Sequence, residues 1–143
     1  MAPSHDWLIV PGRVLTIFSI VTKPPKNKHI ILVATNPILL GFFINSPTDF
    51  QRRHSHLMDE MVVLDKSDGY PFITHRSYID CTCAIDFEEE DLVAQVTADS
   101  NRDHKLITDD TRQKILSVIE SSIMLEGGIV AIIKKNLSLP IKE

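Results

Sequence analysis

The sequence predicts an α+β fold, a small β-barrel or a strongly bent antiparallel sheet with a C-terminal helix. Three observations carry this. Between Gly12 and Phe87, apolar and β-branched residues come in short runs broken by Pro, Asn, Asp and Gly. Between Thr108 and Glu126 they recur at three- and four-residue spacing instead. A chain of 143 residues with 43% hydrophobic and 24% charged side chains also has the size of one ordinary core. One domain over 1–143 is expected: a barrel roughly over 7–87, an acidic connection over 88–107, a helix roughly over 108–126 and a short tail over 127–143.

The first strand is expected from about Gly12 to Val21, where apolar residues alternate with small polar ones. Lys23-Pro24-Pro25-Lys26-Asn27-Lys28 follows, with two prolines and no apolar residue, and reads as a basic loop. His29 to Ala34 and Ile38 to Ile44 are continuous apolar runs on either side of Thr35-Asn36-Pro37, a pair of buried strands joined by a tight turn. Thr48 to His56 is polar, and Met58 to Leu64 is a further short strand.

Lys66 to Pro71 has the composition of a turn. From Phe72 to Phe87 the two-residue spacing predicts a half-buried strand, its odd positions facing inward from Ile79 onward. Glu88 to Lys105 reads as a short linking element and a loop outside the core. Thr108-Asp109-Asp110-Thr111 opens the clearest helix, and Gly127-Gly128 is expected to end it, because glycine suits the left-handed C-cap. Ile129 to Ile133 reads as a last strand or helical turn, followed by a frayed Lys134-Lys135 tail. Trp7, the single tryptophan, is expected as a buried anchor.

No run of about 18 apolar residues is present, which excludes a membrane-spanning helix. Met1 to Asp6 lacks the basic flank and apolar core of a secretory signal, so a cytoplasmic protein is expected. Cys81 and Cys83, one residue apart, are expected as reduced, buried and inert thiols. The net charge of −4 is split: residues 1–56 carry six Lys/Arg against Asp6 and Asp49, and residues 57–143 carry nine against seventeen acids. Any anion site belongs in the first half.

No phosphate-binding glycine loop, dinucleotide fingerprint or metalloprotease helix occurs, and no cofactor is expected. His54-x-His56 with His29 and His75 supplies the residue types of a zinc site, yet no metal is expected, since alternating histidines in a polar loop are more often solvated. Ser46, His75 and Asp80 supply the residue types of a hydrolase triad, without a nucleophile elbow around any serine. What remains is a basic loop, Ser46 at a strand end and the Arg52-Arg53-His54 cluster after it. Cations, a hydroxyl and an imidazole are the inventory of a metal-independent ribonuclease, in which the substrate's 2′-hydroxyl attacks the adjacent phosphate.

The order of features resembles the MazF/PemK family of toxin endoribonucleases. The resemblance rests on Gly12-Arg13-Val14 opening a strand, the apolar strand His29-Ile30-Ile31-Leu32-Val33, a strand ending in Ile44-Asn45-Ser46, and Ser77-Tyr78-Ile79-Asp80-Cys81. It implies an SH3-like barrel, a homodimer, single-stranded RNA as substrate and a cognate antitoxin as partner. The family's Arg-Pro pair before the second strand is replaced here by Lys28-His29, and its Thr or Ser at the next strand end is matched by Ser46.

On this reading Lys28, His29, Ser46 and Arg52 are catalytic. Lys28 and an arginine stabilise the phosphate, a histidine exchanges protons and Ser46 hydrogen-bonds the substrate. Arg13, Lys23, Lys26, Arg53, His54 and His56 are the RNA-binding set. The alternative is a non-catalytic barrel whose basic loops bind a protein partner or nucleic acid.

Overall fold

A computed structural model describes residues 7–19 and 24–141. It is α+β, with a strongly curled antiparallel sheet at its centre. The strands are β1 (Arg13–Ser19), β2 (Lys26–Ala34), β3 (Leu40–Asn45), β4 (Met61–Leu64), β5 (Ser77–Asp80), β6 (Ile85–Asp86) and β7 (Asp103–Leu106). They run in the order β4-β5-β3-β2-β1-β7, with β6 also paired to β3. The helices are α1 (Asp49–Arg52), α2 (Ser55–Met58), α3 (Glu89–Ala98), α4 (Asp109–Glu120) and α5 (Gly127–Asn136). None of them is long and apolar enough to cross a membrane.

Both faces of the central strands are covered, which explains the unbroken apolar run in β2: alternate side chains enter different cores. Ile31 and Val33 join Val14, Phe42, Ile44 and Ile79 in the larger core, which Ile115 and Ile119 of α4 and Ile133 of α5 close. Ile30 and Leu32 join Leu8, Leu15 and Ile17 in the smaller core under Leu92 and Val96 of α3. Truncating any of the buried leucines, isoleucines or Phe42 to alanine costs about 2–5 kcal/mol.

Several elements differ from the sequence reading. The basic loop is shorter than expected, because Lys26, Asn27 and Lys28 are already in β2, opposite Ser19, Phe18 and Ile17. The ladder uses backbone groups, so polar side chains at its exposed end do not prevent pairing. The polar stretch after β3 forms α1 and α2. Thr48 caps α1 reciprocally with Gln51: the Gln51 N–H donates to Thr48 Oγ1 at 3.1 Å and the Thr48 N–H to Gln51 Oε1 at 2.9 Å.

Only Ser77–Asp80 and Ile85–Asp86 of the long strand expected over 72–87 are extended in the sheet. The inward phase stops at Cys81: Cys81 is buried and Cys83 is exposed. Trp7 is exposed. The stretch 88–107 is part of the core, since α3 seals the smaller core and β7 forms a sheet edge beside β1. The first-turn Glu89, Glu90 and Asp91 complement the positive end of α3.

Gly127-Gly128 begins a helix and does not end one. The preceding helix, α4, closes at Ser121, after which the buried Glu60 carboxylate accepts hydrogen bonds from Ser122 Oγ and the Ile123 N–H. The tail is ordered as α5. Its Asn136 accepts from the Thr35 N–H at 2.9 Å and donates to the Asn36 carbonyl at 2.9 Å, fastening it to the β2–β3 turn. Predicted candidate Lys23 and the expected last residues of the first strand, 20 and 21, lie outside the described residues.

Candidate functional site

Thr16 of β1 and His29 of β2 face each other across the antiparallel ladder. On the other side of β1, β7 is irregular: Asp103 pairs with Leu15 and Leu106 with Arg13, so His104 and Lys105 share the space opposite Val14. Lys105 takes the left-handed φ of 68° that this bulge requires. The result brings His104 onto Thr16. Thr16 Oγ1 lies 2.7 Å from His29 Nδ1 and 2.6 Å from His104 Nε2.

The two rings are nearly perpendicular, with centroids 5.3 Å apart. Phe72 packs beside both, at 5.4 Å from His29 and 5.1 Å from His104. His104 also lines an open cleft of about 410 Å³ with Tyr70, Phe72, Lys105 and Thr108. Arg102 supports the arrangement: its Nη1 donates to the Thr16 carbonyl and to Asn27 Oδ1, both at 3.0 Å.

Both imidazoles are half-buried, and burial is the main reason that each is held below its ordinary pKa. For His29 the neighbouring His104 and Lys28 push further the same way. For His104 the adjacent Asp103 opposes the shift. At neutral pH both rings are uncharged, and the Thr16 hydroxyl then links them directionally. A hydroxyl donates one proton, so one inward ring nitrogen accepts from Oγ1 and the other donates to it. The outward nitrogens, His29 Nε2 and His104 Nδ1, consequently differ: one carries a proton and the other a free lone pair. Neither is bonded to a protein group among the described residues.

The predicted site residues are distributed differently. Lys28 and His29 are consecutive in β2 and point to opposite faces. Lys28 lies on the side of the smaller core, its Nζ 5.6 Å from the Phe43 ring centroid, with its pKa lowered by burial and Lys26 against the opposing pull of Asp80. Ser46 is exposed just beyond β3. Arg52 is exposed and pairs with Asp49 at 3.5 Å. Arg13 is committed structurally: Nη2 donates to the Trp7 carbonyl at 2.6 Å, Nε lies 3.6 Å from Asp103 and the guanidinium sits over Trp7. Lys26 is exposed at the start of β2, Arg53 and His54 form the link between α1 and α2, and His56 is in α2.

The triad residue types Ser46, His75 and Asp80 do not come together. Asp80 binds Gln51 and Thr82, and His75 meets Thr74. Among the described residues, no group of three or more His, Cys, Asp or Glu has metal-binding geometry.

Sequence reasoning reached His29 and missed Thr16, His104, Arg102 and Phe72. Thr16 left one signal, a hydroxyl between the buried apolar Leu15 and Ile17. His104 left none, because it reaches the cluster through a bulge in a stretch that reads as loop. Compared with known proteins, the chain matches no family model and no curated protein.

Proposed function

We propose that this protein cleaves single-stranded RNA by metal-independent acid–base chemistry, with His29 and His104 as the proton-exchanging pair. The observation that carries this reading is the Thr16 hydroxyl bridging the two rings. In the tautomer in which His29 Nδ1 donates to Oγ1, His29 Nε2 is a free base and His104 Nδ1 carries a proton.

The 2′-hydroxyl gives its proton to His29 Nε2 while the O2′–P bond forms and the P–O5′ bond breaks. The His29 Nδ1 proton moves to Thr16, the Thr16 proton to His104 Nε2, and the His104 Nδ1 proton to the departing 5′-oxygen. The products are a 2′,3′-cyclic phosphate and a free 5′-hydroxyl, with every proton accounted for and both rings converted from the Nδ1–H to the Nε2–H tautomer. Hydrolysis of the cyclic phosphate runs the relay backwards and resets it. Arg102, with Nε and Nη2 unbound to described residues, supplies positive charge beside the cluster for the phosphorane.

This assignment keeps His29 from the sequence reading and moves the phosphate-stabilising role from Lys28 to Arg102. The toxin–antitoxin setting, a homodimer, a cognate antitoxin and a cytoplasmic RNA target belong to the same proposal and are supported by the resemblance to MazF/PemK toxins. Cleavage of a uridylyl-adenosine dinucleotide in the presence of chelator tests the chemistry. His29→Asn, His104→Asn and Thr16→Val are each expected to lower the rate about 100-fold or more. A folded Thr16→Val protein that cleaves at the wild-type rate would overturn the relay, and a wild type that leaves the dinucleotide intact would overturn the activity.

A further inference from the structure

We infer that the α1–α2 arm is a binding platform for single-stranded nucleic acid, on which the Phe50 ring stacks with an unpaired base and Arg53 meets the phosphate. The inference rests on the RNA reading above for its ligand class and concerns a surface separate from the histidine relay.

Phe50 is 63% exposed, although it stands on a helix that is held in place. The anchoring is done by its neighbours. The Thr48–Gln51 capping box fixes the first turn, Gln51 Nε2 donates to Asp80 Oδ2 of β5 at 3.0 Å, and Leu57 of α2 is buried. The ring packs against His54 on one side and leaves most of its surface open to solvent.

Its surroundings are those of a base-stacking surface. The His54 ring lies over one side of Phe50, centroid to centroid 4.1 Å and tilted by 30°. His54 Nδ1 is 2.7 Å from the Phe50 carbonyl, which only accepts, so Nδ1 carries the proton and Nε2 is left to face outward. His56 stands edge-on to His54 at 5.8 Å. Arg52 and Arg53 are exposed beside the rings, and the Arg53 guanidinium has no partner among the described residues. Rings that accept any base face, next to cations that follow the backbone, are the means by which proteins bind single strands without reading their sequence.

Topology puts this arm within reach of the cleaved strand. The arm leaves the sheet three residues after the end of β3, and β3 ends at Asn45, next to the β2 end that carries Lys28 and His29. Its anchor Asp80 also acts electrostatically on Lys28. An RNA chain with its scissile phosphate at His29 and His104 therefore meets Lys28, Arg52 and Arg53 where it crosses the end of the sheet.

The test uses the full chain and a fluorescein-labelled decamer of 2′-O-methyluridine, which lacks the attacking hydroxyl and so reports binding alone. Phe50→Ala is expected to weaken binding about five- to 100-fold, Phe50→Trp to restore it, and Arg53→Ala to weaken it further. In Phe50→Trp the new tryptophan fluorescence is expected to be quenched by saturating oligonucleotide. Thermal midpoints within a degree or two of wild type would establish that the exposed substitutions leave the fold intact.

Binding by Phe50→Ala equal to wild type would overturn the platform, as would a fluorescence at position 50 that binding leaves unchanged. Loss of self-association in Phe50→Ala, with oligonucleotide binding intact, would assign the arm to a protein interface and equally overturn it. A wild type that binds the oligonucleotide through Phe50 and leaves the dinucleotide whole would refute the cleavage reading while the platform stands.

Discussion

Thr16 is the residue on which the proposed chemistry turns, because its single proton makes one inward ring nitrogen an acceptor and leaves the other to donate. Protonating either ring stops the relay: on the ring that donates inward it fills the outward lone pair, and on the ring that accepts it sets a second N–H against Oγ1. Both rings are held below the ordinary histidine value of 6.5, chiefly by burial. The relay is therefore intact at neutral pH, and the dinucleotide cleavage rate is expected to stay level through pH 7 and fall only on the acid side of 6.5. A rate that rises on acidification through that range would show that an imidazolium is the active form.

The same shift affects stability. The unfolded chain takes up protons at these histidines from about 6.5, whereas the folded chain does so only at lower pH, so stability is greatest above 6.5 and declines as pH falls towards the folded values. Urea midpoints at pH 7.5 and 5.5 should show the decline for wild type and less of it for His29→Asn. His29 was legible as a polar residue at the head of an apolar strand. His104 was not, because no local pattern marks a bulge that depends on the register of another strand.

At the scale of elements, the strands that pass through the middle of the sheet were readable and the segments held by distant contacts were not. β2 and β3 appear in the sequence as apolar runs of strand length because burial on both faces demands them. Gly41 in β3 shows how tightly they are packed. A Cβ there would stand 2.8 Å from the Phe87 ring and 2.9 Å from the Ile31 carbonyl, and the latter is backbone in the neighbouring strand. Gly41→Ala is expected to destabilise by about 1–3 kcal/mol in urea denaturation, although alanine ordinarily favours a strand interior over glycine.

The end of α4 shows the opposite case. Tandem glycines at 127 and 128 looked like a stop, yet the chain turns earlier because Glu60, far away in sequence and buried, takes the Ser122 hydroxyl and the Ile123 N–H. Glu60→Ala removes both acceptors and is expected to cost about 2–3 kcal/mol, measured by the same denaturation. A change under a few tenths of a kcal/mol would mean that the α4–α5 turn is set locally.

Across the whole molecule, five cations gather at one end of the sheet, among acids that include Asp49, Asp80 and Asp99. Lys26 and Lys28 open β2, Arg52 and Arg53 stand on the arm that follows the adjacent end of β3, and Arg102 precedes β7 at the same end of the sheet. Lys134 and Lys135 of α5 lie at the other end, since Asn136 is bonded to Thr35 just beyond the last residue of β2. The nine residues of β2 separate the two groups by roughly 26 Å of strand. That is about three Debye lengths at physiological salt, so the far lysines are screened from anything bound at the near end.

Single-strand binding loses about 0.7 in the slope of log K against log salt for each phosphate neutralised. Replacing Arg52 and Arg53 together by alanine should accordingly flatten the slope for the 2′-O-methyl decamer by about 1.4, and replacing Lys134 and Lys135 should leave it as in wild type. Titrations between 50 and 200 mM salt separate these outcomes. Equal flattening by the two pairs would mean that the oligonucleotide responds to net charge alone, and would remove the end of the sheet as its site.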